Sequence, residues 1–491
     1  MKLKLRKLKN PELELSKIQD SLEKLNQKKV RDSFTIRVVT PMIGGGAKPH
    51  LIDNRQPVRS SAIRGQLRFW WRATRGASCK DVAELRKREV EIFGSTDRPS
   101  PVKIRVETLS EIKSEKVFNE DSKNPKMARE LQESQYALFP LRETVKEKLE
   151  RETGNKGPKY INNFKFILHI EYALPELEEE ECMQSSEEFK LEIECALWAW
   201  INFGGIGART RRGCGSLYCS EFSPKTARAN ELRTWFQEKV EKYKLNLVSH
   251  EENFQQSYRD WSTLSTTIKF SGGEAEPVKA WGTVVKNLQD FRSARKEYED
   301  SRCFSRSFWP EADSIRRITG KGVKDHLKST TIKEGKDYIA FPRAQLGLPI
   351  VFHFRNDTKK YPPLTQGCEP SDTELVPKGR DRLASPIILK AVAVMDGTSA
   401  VSAVIVLNQP KLGWLSLRST KKKNDKQQFK GKNIEPSAVY IAPEYLPERK
   451  VYNPMKVSGS QNNRFERVTD SAITAFLNWK EVGTWQWLNE N

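Results

Sequence analysis

Arginine residues recur at a helical spacing in a stretch of the sequence that contains no acidic residue. In SAIRGQLRFWWRATR, Arg64, Arg68 and Arg72 are four positions apart and Arg75 follows closely, and no Asp or Glu occurs between residues 54 and 80. On a helix this spacing places the guanidinium groups on one stripe beside an apolar face. A planar guanidinium binds two phosphate oxygens at once, so the stripe favours phosphate binding over a solvated face held by salt bridges.

A glycine-rich loop, TPMIGGGAKPHLIDNRQPVR, precedes this stretch and adds the cationic residues Lys48, Arg55 and Arg59. Glycine lets backbone N–H groups approach an anion closely. No Ser or Thr follows Lys48, so the loop is not a phosphate-binding P-loop. Considered alone, the loop is best explained as a flexible turn. Beside the arginine stripe, we predict that its three cationic residues contact the same polyanion.

A second glycine-rich loop spans residues 204–215, with the sequence GGIGARTRRGCG. Five glycines and three arginines fall within these twelve residues, and the order does not match the dinucleotide-binding pattern GxGxxG. A tight crossover explains the glycines but not the arginines. We therefore predict a nucleic-acid backbone contact. Its residues are Gly204, Gly205, Gly207, Arg209, Arg211 and Arg212.

The overall charge points to the same class of ligand. The chain has 491 residues and a formal net charge of +21, which attracts polyanions by Coulomb force and counterion release. Only 37% of the residues are hydrophobic, yet 22 Phe, 12 Trp and 12 Tyr argue against general disorder. The composition indicates folded domains interrupted by charged loops.

The sequence does not indicate a metal site, a cofactor site or a membrane-spanning segment. The seven Cys residues form no CxxC pair and only five His residues are present, so we expect reduced thiols, no structural metal and no cofactor. No apolar run reaches the roughly 18–20 residues that span a bilayer, and the start MKLKLRKLKN lacks the apolar core of a secretory signal. We expect a cytoplasmic protein without a membrane partner.

The stretch from residue 33 to residue 225 has the element order strand, helix, strand, strand, helix, strand. Residues 33–40 and 102–108 alternate as strands, and a helix begins near Ser60 or Ser61. A third alternating segment covers 164–170, and a helix at 187–203 leads to the strand SLYCSEF. This order predicts an α+β, ferredoxin-like (RRM-like) domain at 33–225 with a charged insertion at about 109–160.

The rest of the chain is predicted to repeat this plan in a domain at 226–491. A strand at 266–270, a helix through Trp281, and two strands joined by the turn pair Asp396-Gly397 support the prediction. We expect a basic insertion at about 412–435 and a closing helix near 470–489. Residues 1–32 are predicted to form an N-terminal extension with a helix at 10–29.

Several motifs of the sequence resemble those of a known protein family. TPMIGGGA, SSAIRGQLRFWWRA, EIFGS at 91–95 and INFGGIGARTRRGCGSL resemble the RAMP superfamily of CRISPR proteins. The segments SFWPEADSIRR, FPRAQLGLPIVFHF and RDRLASPIILKAV narrow the resemblance to the Cmr subunit 1 family of type III-B effector complexes. The resemblance covers roughly residues 33–410. The N-terminal extension and the two long charged insertions depart from the family pattern.

The resemblance implies two tandem RAMP domains and a role in antiviral defence. It implies a place at the end of a ribonucleoprotein filament, where the subunit holds the 3′ part of the CRISPR RNA, the target RNA, or both. Other Cmr subunits are its implied protein partners. Target cleavage in such complexes is attributed to a different, repeated subunit, so the resemblance implies a non-catalytic chain.

Two alternatives remain open at the level of sequence. His50 lies close to Lys48 and could act as the general base of a metal-independent CRISPR RNA processing endoribonuclease. Alternatively, the chain is a purely structural subunit that contacts only proteins.

A last group of residues is assigned to contacts with a partner or between domains. It consists of Trp309, Arg316 and Arg343. Glu311 and Asp313 are predicted to pair with Arg316 and Arg317, and an exposed Trp309 would favour a contact with another subunit.

Overall fold

The computed structural model describes most of the chain between residues 29 and 488. The described ranges are 29–46, 52–109, 112–118, 127–141, 158–173, 186–251, 259–294, 307–321, 338–354, 369–420, 429, 431–441, 455–457, 467–468 and 471–488. Apart from Lys29, which begins the first strand, the predicted helix at 10–29 lies outside these ranges. Lys48 and His50 lie outside them as well.

The described residues form nine α-helices and seventeen strands. The helices are α1 (Ser60–Ala73), α2 (Val82–Phe93), α3 (Gln135–Leu138), α4 (Ser186–Phe203), α5 (Ala229–Lys242), α6 (Pro277–Arg292), α7 (Glu311–Thr319), α8 (Ala472–Leu477) and α9 (Lys480–Thr484). The strands are β1 (Lys29–Val38), β2 (Met42–Ile43), β3 (Val102–Thr108), β4 (Ser114–Lys116), β5 (Lys159–Ile161), β6 (Lys165–Ala173), β7 (Leu217–Tyr218), β8 (Thr263–Phe270), β9 (Ile350–Phe352), β10 (Thr373–Pro377), β11 (Ile387–Val394), β12 (Ser399–Asn408), β13 (Leu415–Ser419), β14 (Lys432–Ile434), β15 (Lys456–Val457), β16 (Arg467–Val468) and β17 (Gln486–Trp487). In the described part of the chain, no helix is both long and apolar enough to cross a bilayer.

The first half of the chain forms a ferredoxin-like domain. Its antiparallel sheet has the spatial order β3-β6-β1-β7, and the helices α1 and α4 connect the strands into the order βαββαβ. Phe34 pairs with Leu168 and Ile36 with Phe166, so the apolar residues of both strands share one face. The predicted element order is confirmed, whereas α2 was not predicted from the sequence.

The second half repeats the same topology. Its sheet has the order β11-β12-β8-β17, and α6 follows β8 while α8 precedes β17. The hairpin predicted at Asp396-Gly397 is present, because β11 and β12 pair antiparallel from Ile387 opposite Val406 to Val394 opposite Ser399. The fold is therefore α+β with tandem ferredoxin-like domains, as predicted.

The two domains stack as sheet, helices, sheet, helices. On β11, Leu389 packs into the apolar cluster of α6 and α8, whereas Ile388 belongs to the cluster built on α1 and α4 of the first domain. Every residue of β11 is buried, which is typical of a strand covered on both faces. The second sheet therefore has no open face. The first sheet presents one face to solvent, with Arg31, Lys103 and Arg105 exposed on it.

A small additional sheet with its own core belongs to the C-terminal half. It has the order β14-β13-β10-β9, and its apolar residues pack with Ile315 of α7 and with Phe341. The segment 412–435, predicted as a basic insertion, supplies β13 and β14 to this sheet. The partly helical segment predicted at 109–160 contains β4, α3 and β5.

The glycine-rich loop at 204–215 connects α4 to β7 within the first domain and packs very closely against the second domain. Gly213 has a φ of 80°, and a Cβ placed there would lie 2.5 Å from Cδ1 of Trp281. Alanine at this position would require both an unfavourable backbone conformation and displacement of a buried indole.

We predict that Gly213→Ala lowers the free energy of unfolding by about 1–3 kcal/mol. The matched control is Gly65→Ala within α1, where a Cβ meets no atom within 4 Å. That substitution should stabilise the helix by about 0.5–1 kcal/mol. Thermal unfolding followed by circular dichroism measures both. Equal effects of the two substitutions would contradict the close packing at Trp281.

Candidate nucleic-acid interface

The helix α1 carries the predicted arginine stripe on the flank of a deeply buried apolar face. Ile63, Leu67 and Trp71 are fully buried in the core of the first domain. Arg64, Arg68 and Arg72, one turn apart, are partly exposed beside that face. The sequence therefore predicted both faces of this helix correctly.

Two arginines of α1 form ion pairs that the sequence did not predict. Nε of Arg68 donates to Glu89 of α2 at 2.7 Å, and Nη1 of Arg72 donates to the same carboxylate at 2.9 Å. The prediction that these arginines lack an acidic neighbour was wrong. Glu89 lies 21 residues beyond Arg68 on a helix that the sequence did not reveal, so a search of the local sequence could not find it.

Arg75 belongs to the core rather than to a binding surface. Its guanidinium lies 2.8 Å from Glu192 of α4, whose carboxylate is fully buried, and 3.1 Å from Glu188. Glu192 also accepts hydrogen bonds from Arg88 and from the indole of Trp71. A buried carboxylate needs such a complete set of donors, and Arg75 supplies part of it.

A cleft opens between α1, α2 and the loop at 94–100, and we call it the arginine cleft. It encloses about 660 Å³. Its charged residues are Arg64, Arg68, Arg72, Arg86 and Glu89, and the hydroxyl groups of Ser95, Thr96 and Ser100 also line it. Four guanidinium groups face one carboxylate, so the cleft suits an anion.

The glycines of the second loop serve packing. Gly204 and Gly205 are buried, and a Cβ on Gly204 would lie 2.4 Å from the indole nitrogen of Trp70. Gly207 is exposed but has a φ of 83°, and its Cβ would lie 2.5 Å from the carbonyl oxygen of Ile43. Close approach of the backbone explains why glycine is required at all three. The predicted RNA contact of these glycines stays a prediction.

The arginines of the same loop reach across to the second domain. The guanidinium of Arg211 donates to the carbonyl of Ser385 and lies 5.7 Å from the ring of Phe69 on α1. Arg212 donates to the carbonyl of Ile387 at 3.4 Å, and the indole of Trp281 donates to the carbonyl of Arg212 at 2.6 Å. The loop thus joins the two domains.

Four arginines gather where the loop meets α6, and we call them the seam cluster: Arg209, Arg211, Arg212 and Arg292. Within the described residues, none of these guanidinium groups forms an ion pair or a hydrogen bond with a carboxylate, and Nε of Arg209 is buried without a partner. Burial lowers the pKa of all four, that of Arg211 and Arg212 to about 10. They are still cationic at neutral pH, and an anion would offset their mutual repulsion.

The seam cluster and the arginine cleft both touch α1. Arg211 rests on Phe69, and Arg68 is the preceding residue of the same helix. Adjacent residues of a helix point about 100° apart, so the two cationic groups lie along different flanks of one exposed ridge. The upstream loop adds Arg55, which is exposed, and Arg59, which is partly exposed.

The residues assigned to a partner or interdomain contact lie inside the C-terminal half. Trp309 is only 2% exposed, and its indole donates to the carbonyl of Phe291. Arg343 pairs with Glu311 at 3.1 Å, and Arg316 pairs with Asp313 and with Glu369. Trp309 is buried, so the exposure that would favour a contact with another subunit is not observed. The predicted partner of Asp313 is confirmed, whereas Glu311 pairs with Arg343 instead of Arg316 or Arg317.

The described histidines do not assemble a catalytic group. His169 bonds Ser33 and Glu107 across the first sheet, and His353 is exposed and bonds Asp372. Among the residues that the structure describes, no group of three or more His, Cys, Asp or Glu residues could hold a metal ion.

Comparison with known proteins identifies the family. The chain is 30% identical over 188 residues to the CRISPR system Cmr subunit Cmr1-2 of Pyrococcus furiosus, a match that covers 38% of this chain and 92% of the relative. The chain belongs to the Cmr subunit 1 family. This family member is also 29% identical over 250 residues to Cmr subunit Cmr1-1 of the same organism, covering 49% of this chain and 65% of that relative.

The RAMP superfamily family model matches residues 35–218. A crystal structure of Cmr1 from Pyrococcus furiosus in its apo form aligns with a TM-score of 0.41 and 16% identity, over 83% of this chain and 94% of that one. A chain of the Type III-B Cmr-beta complex bound to cognate target RNA aligns with a TM-score of 0.42 and 14% identity, over 78% and 95%.

The buried Lys390 should make the free energy of unfolding of this Cmr family member depend on pH. Lys390 is fully buried on β11, its ammonium nitrogen donates to the carbonyl of Gly204, and burial lowers its pKa to about 7. In the unfolded chain the pKa returns to about 10.5. Between these values the unfolded state binds more protons, so stability rises with pH by up to about 1.4 kcal/mol per unit.

We predict that Lys390→Met removes this increase between pH 7 and pH 9. The exposed Lys279→Met on α6 serves as the control and should retain it. Urea unfolding at several pH values measures the difference between each variant and the parent chain. A difference for Lys390→Met that stays constant across the range would contradict the proposed titration.

Proposed function

We propose that the chain is a non-catalytic RNA-binding subunit of a type III-B Cmr effector complex. It holds the 3′ region of the CRISPR RNA, the target RNA, or both, at the end of the filament. The single observation that carries this proposal is the seam cluster, in which four partly buried guanidinium groups have no carboxylate partner among the described residues.

Electrostatics supports an RNA ligand at the seam cluster. Cations removed from water without a counter-ion destabilise the free protein, whereas phosphates supply that counter-ion when RNA binds. A neutral protein surface would leave the repulsion in place, whereas the acidic protein surface of the structural alternative would offset it, so a direct measurement of RNA binding separates the two. The net charge of +21 extends the attraction beyond the cluster itself.

Phosphate contacts define the kind of recognition proposed. A guanidinium that binds a phosphate gains no information about the base, so the seam cluster should hold RNA of any sequence. This property suits a subunit of an effector complex in which base pairing between guide and target supplies specificity. The partners proposed are therefore the RNA and other Cmr subunits, consistent with the relatives' designation as Cmr subunits.

We predict that Arg209→Gln combined with Arg292→Gln weakens binding of single-stranded RNA and flattens its salt dependence. Each lost phosphate contact should reduce the slope of log K against log salt by about 0.7. Because neither guanidinium bonds another described side chain, the double variant should fold normally. Filter binding across a salt titration, with RNAs of several sequences, is the measurement.

The matched control removes two charges from the exposed side of α6, as Lys279→Gln with Lys286→Gln. It should leave the slope nearly unchanged. Equal effects of the two double variants would reduce the interaction to general charge attraction. No RNA binding by the parent chain would support the purely structural alternative and overturn the proposal.

The endoribonuclease alternative has its own test. We expect no discrete cleavage when the chain is incubated with precursor CRISPR RNA in EDTA, because the proposal gives no residue a catalytic role. Discrete cleavage that Glu107→Gln retains and His50→Ala abolishes would assign His50 as the general base. That result would replace the non-catalytic proposal, and gel analysis of labelled RNA reads it directly.

A further inference from the structure

The arginine cleft contains an acidic residue in the position that an anionic ligand would take. Both carboxylate oxygens of Glu89 are engaged: one accepts from Arg68 at 2.7 Å and from Arg72 at 2.9 Å, and the other accepts from Arg72 at 3.1 Å. Glu89 is only 8% exposed at the floor of the cleft. Charge-assisted hydrogen bonds from guanidinium groups to anionic oxygens also hold phosphates.

The rest of the cleft is cationic and incompletely satisfied. Arg64 donates to the carbonyl of Val102 at 3.0 Å, and burial, followed by the charge of Arg68, lowers its pKa. Arg86 is exposed at the rim and has no hydrogen bond or ion pair with any residue that the structure describes. Glu89 therefore balances only part of the positive charge.

We propose that the arginine cleft is a phosphate site in which Glu89 substitutes for the ligand until a phosphate group displaces it from Arg68 and Arg72. A phosphate offers acceptor oxygens in several directions, which matches guanidinium groups on two helices and the polar residue Ser95 on the loop. The hydroxyl of Thr96 already donates to Asp97 at 3.3 Å. A second planar carboxylate would satisfy fewer of these donors. The volume of about 660 Å³ accommodates a nucleotide-sized group.

The internal carboxylate has two physical consequences. In the free protein it keeps Arg68 and Arg72 paired, so the empty cleft is stable. In the bound protein it repels the phosphate, so affinity is moderated and release is fast. Loss of the carboxylate should therefore strengthen binding, the opposite of what a purely structural ion pair predicts.

The phosphate has two possible sources, an RNA chain or a free nucleotide. The link to RNA rests on the proposed function, whereas the existence of the site does not. Inorganic pyrophosphate tests the site alone, and unstructured single-stranded RNA tests the source. Both are titrated calorimetrically at one fixed ionic strength, because salt screens such contacts.

Three variants on α2 test whether the arginine cleft binds phosphate in place of Glu89. Glu89→Gln should bind pyrophosphate about two- to fivefold more tightly, and Arg86→Ala should bind it about two- to fivefold more weakly. The control Lys87→Ala removes a charge from the adjacent exposed position and should leave the affinity unchanged. Circular dichroism melting verifies folding. If Glu89→Gln fails to fold, the comparison of Arg86→Ala with Lys87→Ala still decides.

Unchanged or weaker pyrophosphate binding by folded Glu89→Gln, or equal losses for Arg86→Ala and Lys87→Ala, overturns the site. RNA affinities that change in parallel with pyrophosphate affinities establish RNA as the source. RNA affinities that do not change, beside pyrophosphate affinities that do, support a free nucleotide. In that case the site stands even if the RNA-binding proposal fails.

Discussion

The close contact between the glycine-rich loop and two buried tryptophans determines how the two domains fit together. Gly204 lies against Trp70 of the first domain, and Gly213 lies against Trp281 of the second. This contact holds the second sheet on the helices α1 and α4, which leaves β11 buried on both faces. The sheet face that RRM-like domains use for RNA is therefore closed in the second domain. Our proposals place the ligand contacts at the seam and on the flank of α1.

The structure separates two populations of arginine that look alike in the sequence. Arg75, Arg316 and Arg343 bond buried carboxylates and maintain the fold. The seam cluster has no such partners among the described residues. An arginine paired inside the chain has its electrostatic attraction already satisfied, whereas an unpaired one retains it for a ligand. The distinction decides which arginines are available to a polyanion without first displacing an internal carboxylate, as Glu89 would have to be displaced from Arg68 and Arg72. It depends on acids that are distant in sequence.

The sequence predicted the features that depend on local interactions and missed those that depend on contacts between residues distant in the chain. Alternating apolar residues in β1, β3 and β6 and the apolar face of α1 are local patterns, so these elements and their ferredoxin-like order were predictable. The pairing of Arg68 with Glu89 joins two helices, and the burial of Trp309 depends on Phe291 of α6. The small sheet of β9, β10, β13 and β14 consists of short strands far apart in the chain, whose weak local signals gave no topology.

An anion bound at the seam cluster, as proposed, would couple its binding to the arrangement of the domains. The backbone of the loop bonds the second domain through the carbonyl of Arg212, while side chains of the same loop supply three of the four arginines of the seam cluster. An anion that binds the cluster relieves repulsion only when the loop is docked, so it must stabilise the docked arrangement by the same free energy that docking adds to its affinity. Under the proposed function, bound RNA removes the repulsion among Arg209, Arg211, Arg212 and Arg292, which destabilises the free subunit. The proposal therefore implies that the subunit is most stable when RNA is bound.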